Sequence, residues 1–314
     1  MSTFIAGFIV IINVIVLIAL YSDIAFMPVE LLIQYSLHLF IILFFVSLLL
    51  LLIFRRKILV LSLLLSGLGV FLNLNVYSDQ KLVSCDSKTT NLRVMTFNIL
   101  HTNRKYESLY AHIKDVDPDI ILMHEVKSGF YNKLQKKLEI AYPYHFIELE
   151  KGKAQGLAFY SKYPIDNAKR LKLTPIQVAM EAKIDVDNKK LHFIGLHTPS
   201  PRNTRRISAR NNMIKATALY VQDKENVIVA GDFNTVPFQK NMRSLQKDGN
   251  LQTMNLKDYL SIIGTWPSQL ISLFQVHIDH IYYKLSIENV SYHKGLSAGS
   301  DHHSLYADFA ICKN

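Results

Sequence analysis

The 314-residue chain is long enough for one large domain or two smaller ones, is half hydrophobic, and carries a formal charge of +10. No cysteine or multi-histidine set argues for zinc, and no internal repeat or low-complexity tract is present. Residues 1–77 hold only Asp23, Glu30, Arg55, Arg56 and Lys57, a net +1, so the remaining residues carry +9. That excess favours anionic partners: nucleic acid, acidic lipid headgroups or phosphorylated metabolites.

Three apolar stretches open the chain: Thr3 to Leu20, Leu31 to Phe54, and Ile58 to Val76. At about 1.5 Å per residue each reaches roughly 27 to 36 Å, against a hydrocarbon core of about 30 Å, so three transmembrane helices are expected. The first lacks the basic flank of a cleaved signal peptide. Ser66, Gly67, Gly69, Asn73 and Asn75 suit helix packing in lipid, and His38 reads as an interior polar group. Arg55-Arg56-Lys57 belongs on the cytoplasmic side, while Ser22 to Glu30 has no Lys or Arg. The N-terminus is then cytoplasmic, and everything after Val76 lies outside.

Residues 78–90 read as a polar linker, and residues 91–314 as the soluble domain. Its expected elements begin with a strand at Arg93–Ile99, a helix at Ser108–Val116, a strand at Ile120–Val126 and a helix at Gly129–Leu138. Strands follow at Tyr144–Leu149, Leu157–Tyr160, Val178–Val186 and Lys190–His197, with a hairpin turn at Val186–Lys189. A basic helix, Asn203–Gln222, leads to strand Val227–Ala230. A second helical region precedes strands His277–Lys284 and Ser304–Ile311. This mixture indicates an α+β fold with two sheets packed face to face and helices outside. Cys85 and Cys312 flank the domain and can form a disulfide if their Cα atoms lie within about 7 Å; the alternative is two unpaired thiols.

Polar groups recur at the ends of these apolar strands: Asn98, Glu125, His197, Asp232 with Asn234, Asp279, and Asp301 with His302. One buried carboxylate is usually a structural partner, but several at successive strand ends are costly unless paired or metal-bound. Carboxylate, amide and imidazole groups together suit a hard cation and a phosphate ester.

The ordered set Glu125, Gly231-Asp232-Phe233-Asn234 and Ser300-Asp301-His302 resembles the endonuclease/exonuclease/phosphatase superfamily. Gly156, Ser161–Ile165 and Gly264–Pro267 match recurrent segments of it, and the helical anchor is similar to a bacterial membrane branch. The resemblance implies a deoxyribonuclease-I-like, four-layer α/β/β/α sandwich. It also implies Mg²⁺ or Mn²⁺ held chiefly by Glu125, with Asn98 close by. Asp232 would position or activate water, and Asn234 would hold a phosphate oxygen. His302 would contact the scissile phosphate, with Asp279 fixing its tautomer. Asp301 would assist the metal or the leaving group. His197 resembles the second histidine of the nuclease and sphingomyelinase branches, although the acidic partner that the secreted nucleases carry is missing near Gln155-Gly156. Leu100 stands where some repair nucleases have a supporting Asp.

Neighbours carry weaker expectations. Arg202, Arg205, Arg206 and Arg210 draw in a polyanion or form a solvated helix face. His101, His124, His280 and His303 mostly point away from the site, because successive strand side chains alternate. Trp266 stacks on substrate or packs.

The implied protein is a bacterial, membrane-anchored, metal-dependent phosphodiesterase of the inner or plasma membrane, acting in the periplasm or outside the cell. Nucleic acid is the first substrate expected. A phospholipid or sphingolipid headgroup, or a phosphomonoester, is the alternative. A degenerate binding module is the rival from another class.

Overall fold

A computed structural model describes residues 2–77, 82–85, 89–149, 156–174 and 179–312, so most of the expected linker, Gln155 and Val178 lie outside the described residues. Four helices come first: α1 (Ser2–Tyr21), α2 (Met27–Gln34), α3 (Ser36–Phe54) and α4 (Ile58–Leu74). Two of them, over Thr3–Tyr21 and Ser36–Phe54, are long and apolar enough to cross a membrane, while α4 has 17 residues. Phe8, Phe45, Leu52 and Leu64 are exposed, unlike the side chains of a soluble core helix. Polar groups tie the helices together. Asn13 Nδ2 donates to Ser62 Oγ at 3.1 Å, Ser66 Oγ to Asn13 Oδ1 at 2.9 Å, and Ser36 Oγ to Asn73 Oδ1 at 2.8 Å.

The expected second span, Leu31–Phe54, is not continuous. It breaks at Tyr35, where φ is −101° and ψ 11°, so α2 ends there and the apolar helix starts at Ser36. The reason is polar: Glu30 and Gln34, one turn apart on α2, are buried against the rest of the protein.

The remainder is a sandwich. Its elements run β1 (Thr89–Asn98), α5 (Tyr106–Val116), β2 (Ile120–Val126), α6 (Ser128–Ala141), β3 (Tyr144–Glu148), β4 (Gly156–Ser161), β5 (Ile165–Leu171), β6 (Ala179–Val186) and β7 (Lys189–His197). Then come α7 (Thr204–Val221), β8 (Val227–Asp232), α8 (Lys240–Asp248), α9 (Leu256–Ile262), β9 (Asp279–Lys284), β10 (Ile287–Lys294) and β11 (Leu305–Cys312). One sheet has the order β10-β11-β1-β2-β4-β3 and the other β5-β6-β7-β8-β9.

Alternation along the strands builds the layers. Leu92, Val94, Ile120 and Leu122 meet Phe193, Ile228, Ala230 and Ile281 between the sheets. The opposite faces carry Met95, Ile121 and Met123 against α5 and α6, and Ile194, Val227 and Val229 against α7 and α8. The expected hairpin forms: Val186 pairs with Lys189, and Asp187 and Asn188 take φ of 51° and 70°. Two strands escaped the sequence reading, β5 and β10. Both are sheet edges with largely polar sequences, where one face lacks the apolar half of the pattern.

The helical segment is packed on the sandwich. Val16, Leu20, Ile33, Leu37 and Phe40 belong to the same apolar cluster as the inter-sheet core, and Tyr77 stacks on Tyr259 with ring centroids 4.1 Å apart. Cys85 and Cys312 form a disulfide, with Cα atoms 5.3 Å apart, closing the ends of the sandwich.

Candidate active site

The site follows from strand parity. Asn98, His197, Asp232 and Asp279 share the parity of the inter-sheet residues of β1, β7, β8 and β9, so each points between the sheets at one end of the sandwich. Register aligns three of them in a row: His197 pairs with Asp232, and Asp232 with Asp279. Gly231 makes this row possible. A Cβ there would meet the Leu196 carbonyl oxygen at 1.9 Å, and its φ is +154°.

Glu125 has the wrong parity, that of Ile121 and Met123. The ladder between β2 and β4 is irregular between His124 and Val126, and Glu125 adopts φ 61°. This bulge turns its carboxylate into the cleft, an aim that a regular strand would not give.

The groups converge. Asn98 Nδ2 donates to Glu125 Oε1 at 3.1 Å and to Asp232 Oδ2 at 3.0 Å. Asp279 Oδ2 lies 2.9 Å from His302 Nδ1, and His302 Nε2 lies 3.8 Å from Asp232 Oδ2. His197 Nε2 is 3.7 Å from the same Asp232 oxygen, while its Nδ1 has no partner among the described residues. Asn234 lines the cleft with φ 51°; its backbone N–H donates to Asp232 Oδ1 at 2.8 Å and its Nδ2 to the Thr198 carbonyl at 3.0 Å. Asp301 accepts from Trp266 Nε1 at 3.2 Å, and Trp266 both lines the cleft and packs against the inter-sheet cluster. All eight sequence-predicted site residues thus line one cavity of about 600 Å³ or, for Asp279, sit directly behind it.

Electrostatics divide the groups. Burial opposes charge on His302, but Asp279 and Asp232 outweigh it and push its pKa up to about 10. Burial raises the Asp232 carboxyl, whereas the His302 charge holds Asp279 below the usual carboxylate range despite its burial. For Glu125, burial is outweighed by His197 and by hydrogen bonds from His101 and Asn98, which hold its pKa down at about 2. Burial keeps His197 neutral, its pKa lowered to about 4.

Some residues were not anticipated. His101 belongs to the four histidines of which most were expected to leave the site, yet its backbone N–H donates to Glu125 Oε2 at 3.1 Å and its Nδ1 contacts the same oxygen. The strand has ended by then, and Leu100 takes φ 58°, so alternation no longer governs direction. His280 and His303 do turn away, to the carbonyls of Thr235 and Gly295. Arg202 and Arg206 line the cleft and Arg205 is exposed, but Arg210 is wholly buried on Glu30, neither a solvated face nor a substrate contact. Met27, Leu31, Gln34 and Tyr35 of the helical segment also line the cavity. No local sequence signal connects them with it.

Ligand atoms of Asp232, Asp279 and His302 lie within 4.8 Å of one another, a group able to hold a metal ion. With Glu125 and Asn98 beside them the donors are mainly oxygens without a thiolate, the set a hard divalent cation takes. The family model described as Endonuclease/Exonuclease/phosphatase family matches residues 95–302, from β1 to His302. The chain belongs to that family. It is therefore a metal-dependent phosphoesterase, a hydrolase, with a buried Asp/His site.

Solved structures share the fold at low identity. A humanized D. rerio TDP2 aligns at 15% identity and TM-score 0.56, covering 70% of this chain and 99% of that one. An endonuclease/exonuclease/phosphatase from Beutenbergia cavernae DSM 12333 aligns at 15% and 0.56, covering 71% and 72%. Sphingomyelinase C from Streptomyces griseocarneus aligns at 13% and 0.54, covering 70% and 99%. No curated protein matches the sequence.

Proposed function

We propose that this family member is a phosphodiesterase anchored in a bacterial membrane by its N-terminal helices, with its cleft outside the cytoplasm. The observation that carries the chemistry is the convergence of Glu125, Asn98, Asp232 and the Asp279–His302 pair on one cleft. Glu125 and Asn98, with Asp232 at hand, would hold Mg²⁺ or Mn²⁺. The Asn98 amide already sits where the two carboxylates meet, and the charged His302 offers no lone pair on its ring. Once bound, the ion would supply Lewis-acid polarisation of the phosphoryl oxygens.

The remaining roles belong to the chain. Asp232, raised by burial, positions the attacking water and takes up its proton. Water oxygen joins phosphorus, the ester oxygen departs, and His302 gives that oxygen its proton while Asp279 holds the ring. Neutral His197 and the Asn234 amide donate to non-bridging oxygens, and Asp301 assists the leaving group from beside Trp266. Arg202 and Arg206 favour a polyanionic or otherwise anionic substrate, nucleic acid included.

Topology supports the outward placement. α4 runs back to the sandwich, where Arg243 Nη2 donates to the Leu72 carbonyl at 2.8 Å. The Arg55–Lys57 turn is therefore about 25 Å away at the far end of α4, as the positive-inside rule requires. A disulfide between Cys85 and Cys312 fits an oxidising compartment.

Full-length protein in detergent, given Mg²⁺ and bis(p-nitrophenyl) phosphate, is expected to release nitrophenol, and EDTA to stop it. Absence of turnover with either Mg²⁺ or Mn²⁺ overturns the phosphodiesterase reading. His101→Ala, which removes the ring braced against Glu125, is expected to weaken Mn²⁺ binding by about tenfold or more in calorimetric titration. An unchanged affinity would leave His101 without a role in the ion site.

A further inference from the structure

The membrane segment does more than tether. α2 has two faces: Glu30 and Ile33 turn into the protein, while Met27, Leu31 and the C-cap residue Tyr35, at i, i+4 and i+8, form an apolar stripe along the cleft beside Gln34. Met27 and Leu31 are each 46% exposed, and they share the cavity with Asn98, Glu125, Asp232 and His302. The stripe is held in place. Arg210 Nη1 and Nη2 donate to the Glu30 carboxylate at 2.5 and 2.8 Å, Gln239 Nε2 adds a third bond at 3.1 Å, and both Arg210 and Glu30 are fully buried. Arg210 Nη1 also donates to the Asn234 carbonyl at 3.0 Å, linking this helix to a cleft residue.

An apolar wall beside a phosphate site needs an apolar part on the substrate. Its surroundings say which kind. α2 runs directly into α3, whose apolar length begins at Ser36, so the stripe lies where a bilayer surface would begin. Exposed Ile24 and Phe26 precede it. Ile271, Leu273 and Phe274 form a second exposed apolar turn, fixed to α3 by His38 Nε2 donating to the Leu273 carbonyl at 2.9 Å. A soluble polyanion gains nothing from these apolar surfaces, whereas a lipid keeps its chains in the leaflet and its phosphate at headgroup depth.

The geometry points to an apolar subsite, built by Met27, Leu31 and Tyr35 of the anchor, that takes the hydrocarbon portion of a phosphodiester borne by a membrane lipid next to the catalytic groups. Arg202 and Arg206 meet the anionic headgroup side. This rests on the phosphodiesterase reading and names its substrate class.

Full-length protein is tested with two esters in the presence of Mg²⁺: phosphatidylglycerol in phosphatidylcholine vesicles after reconstitution, and soluble bis(p-nitrophenyl) phosphate. Leu31→Gln and Met27→Gln, at half-exposed positions that leave no cavity, are each expected to lower the ratio of lipid to soluble-ester hydrolysis at least tenfold. An unchanged ratio in both overturns the subsite, and so does a single-stranded oligonucleotide cleaved faster than either lipid. A binding arm needs no turnover. Trp266, the only tryptophan and a cleft residue, reports submicellar alkylphosphocholines added to protein in amphipol. Decylphosphocholine is expected to bind at least tenfold more tightly than hexylphosphocholine, since each buried methylene is worth about a factor of four. Leu31→Gln should erase that preference. Equal affinities for the two chains overturn the proposal even if the soluble ester is hydrolysed, while chain-length-dependent binding without any hydrolysis fails the enzyme reading alone.

Discussion

Glu125→Ala is expected to abolish Mg²⁺-dependent hydrolysis and Mn²⁺ binding together, whereas His302→Ala keeps the ion and loses about 10² to 10⁴ in kcat. The difference comes from what each group faces. Glu125 presents a carboxylate held low, at about 2, so it is ionised at any working pH and open to a cation. His302 is cationic through Asp279 and Asp232, which suits proton donation to a leaving oxygen and not ligation. Calorimetric Mn²⁺ titration beside steady-state kinetics separates the two. If Glu125→Ala still binds Mn²⁺ while Asp279→Ala does not, the ion belongs to the Asp232, Asp279 and His302 group instead.

Glu30→Ala is expected to destabilise the protein by about 3–5 kcal/mol, because it leaves the Arg210 guanidinium buried without its partner. Both side chains are almost wholly inaccessible, so water cannot replace the lost carboxylate. The lesion reaches the cleft as well, through the Arg210 bond to the Asn234 carbonyl. Pairing the change with Arg210→Met removes the stranded charge, and this double variant is expected to recover most of the thermal stability. A melting temperature unaltered by Glu30→Ala would show that the helix does not depend on this pair. Any fragment lacking α2 carries the same defect.

Much of the site was legible because it obeys local rules. An apolar run that ends in a polar residue of inward parity marks a strand end on the core face, and Asn98, His197 and Asp232 meet that condition, while Asp279 opens the antiparallel strand β9 with the same inward parity. Glu125 was found by its motif and not by its parity, since the bulge that redirects it is a property of pairing with β4. His101 was lost for a related reason: beyond a strand end, backbone direction depends on the turn. The edge strands β5 and β10 were missed because their sequences lack a buried face on one side.

The anchor shows the limit most clearly. Hydropathy alone picked out the apolar stretches, and charge placement alone gave their expected orientation, because partition into a bilayer depends on composition within each segment. That Glu30 pairs with Arg210, 180 residues away, and that Met27 and Leu31 face Asp232 and His302, depended on how separate elements pack. Sequence by itself determined the central strands, the layers, the apolar stretches and the ordered polar set, since each arises from periodicity or a short motif. Only the tertiary structure decided that one turn of the N-terminal helices is a wall of the cleft, because contacts between distant elements are set by mutual burial and leave no period in the chain.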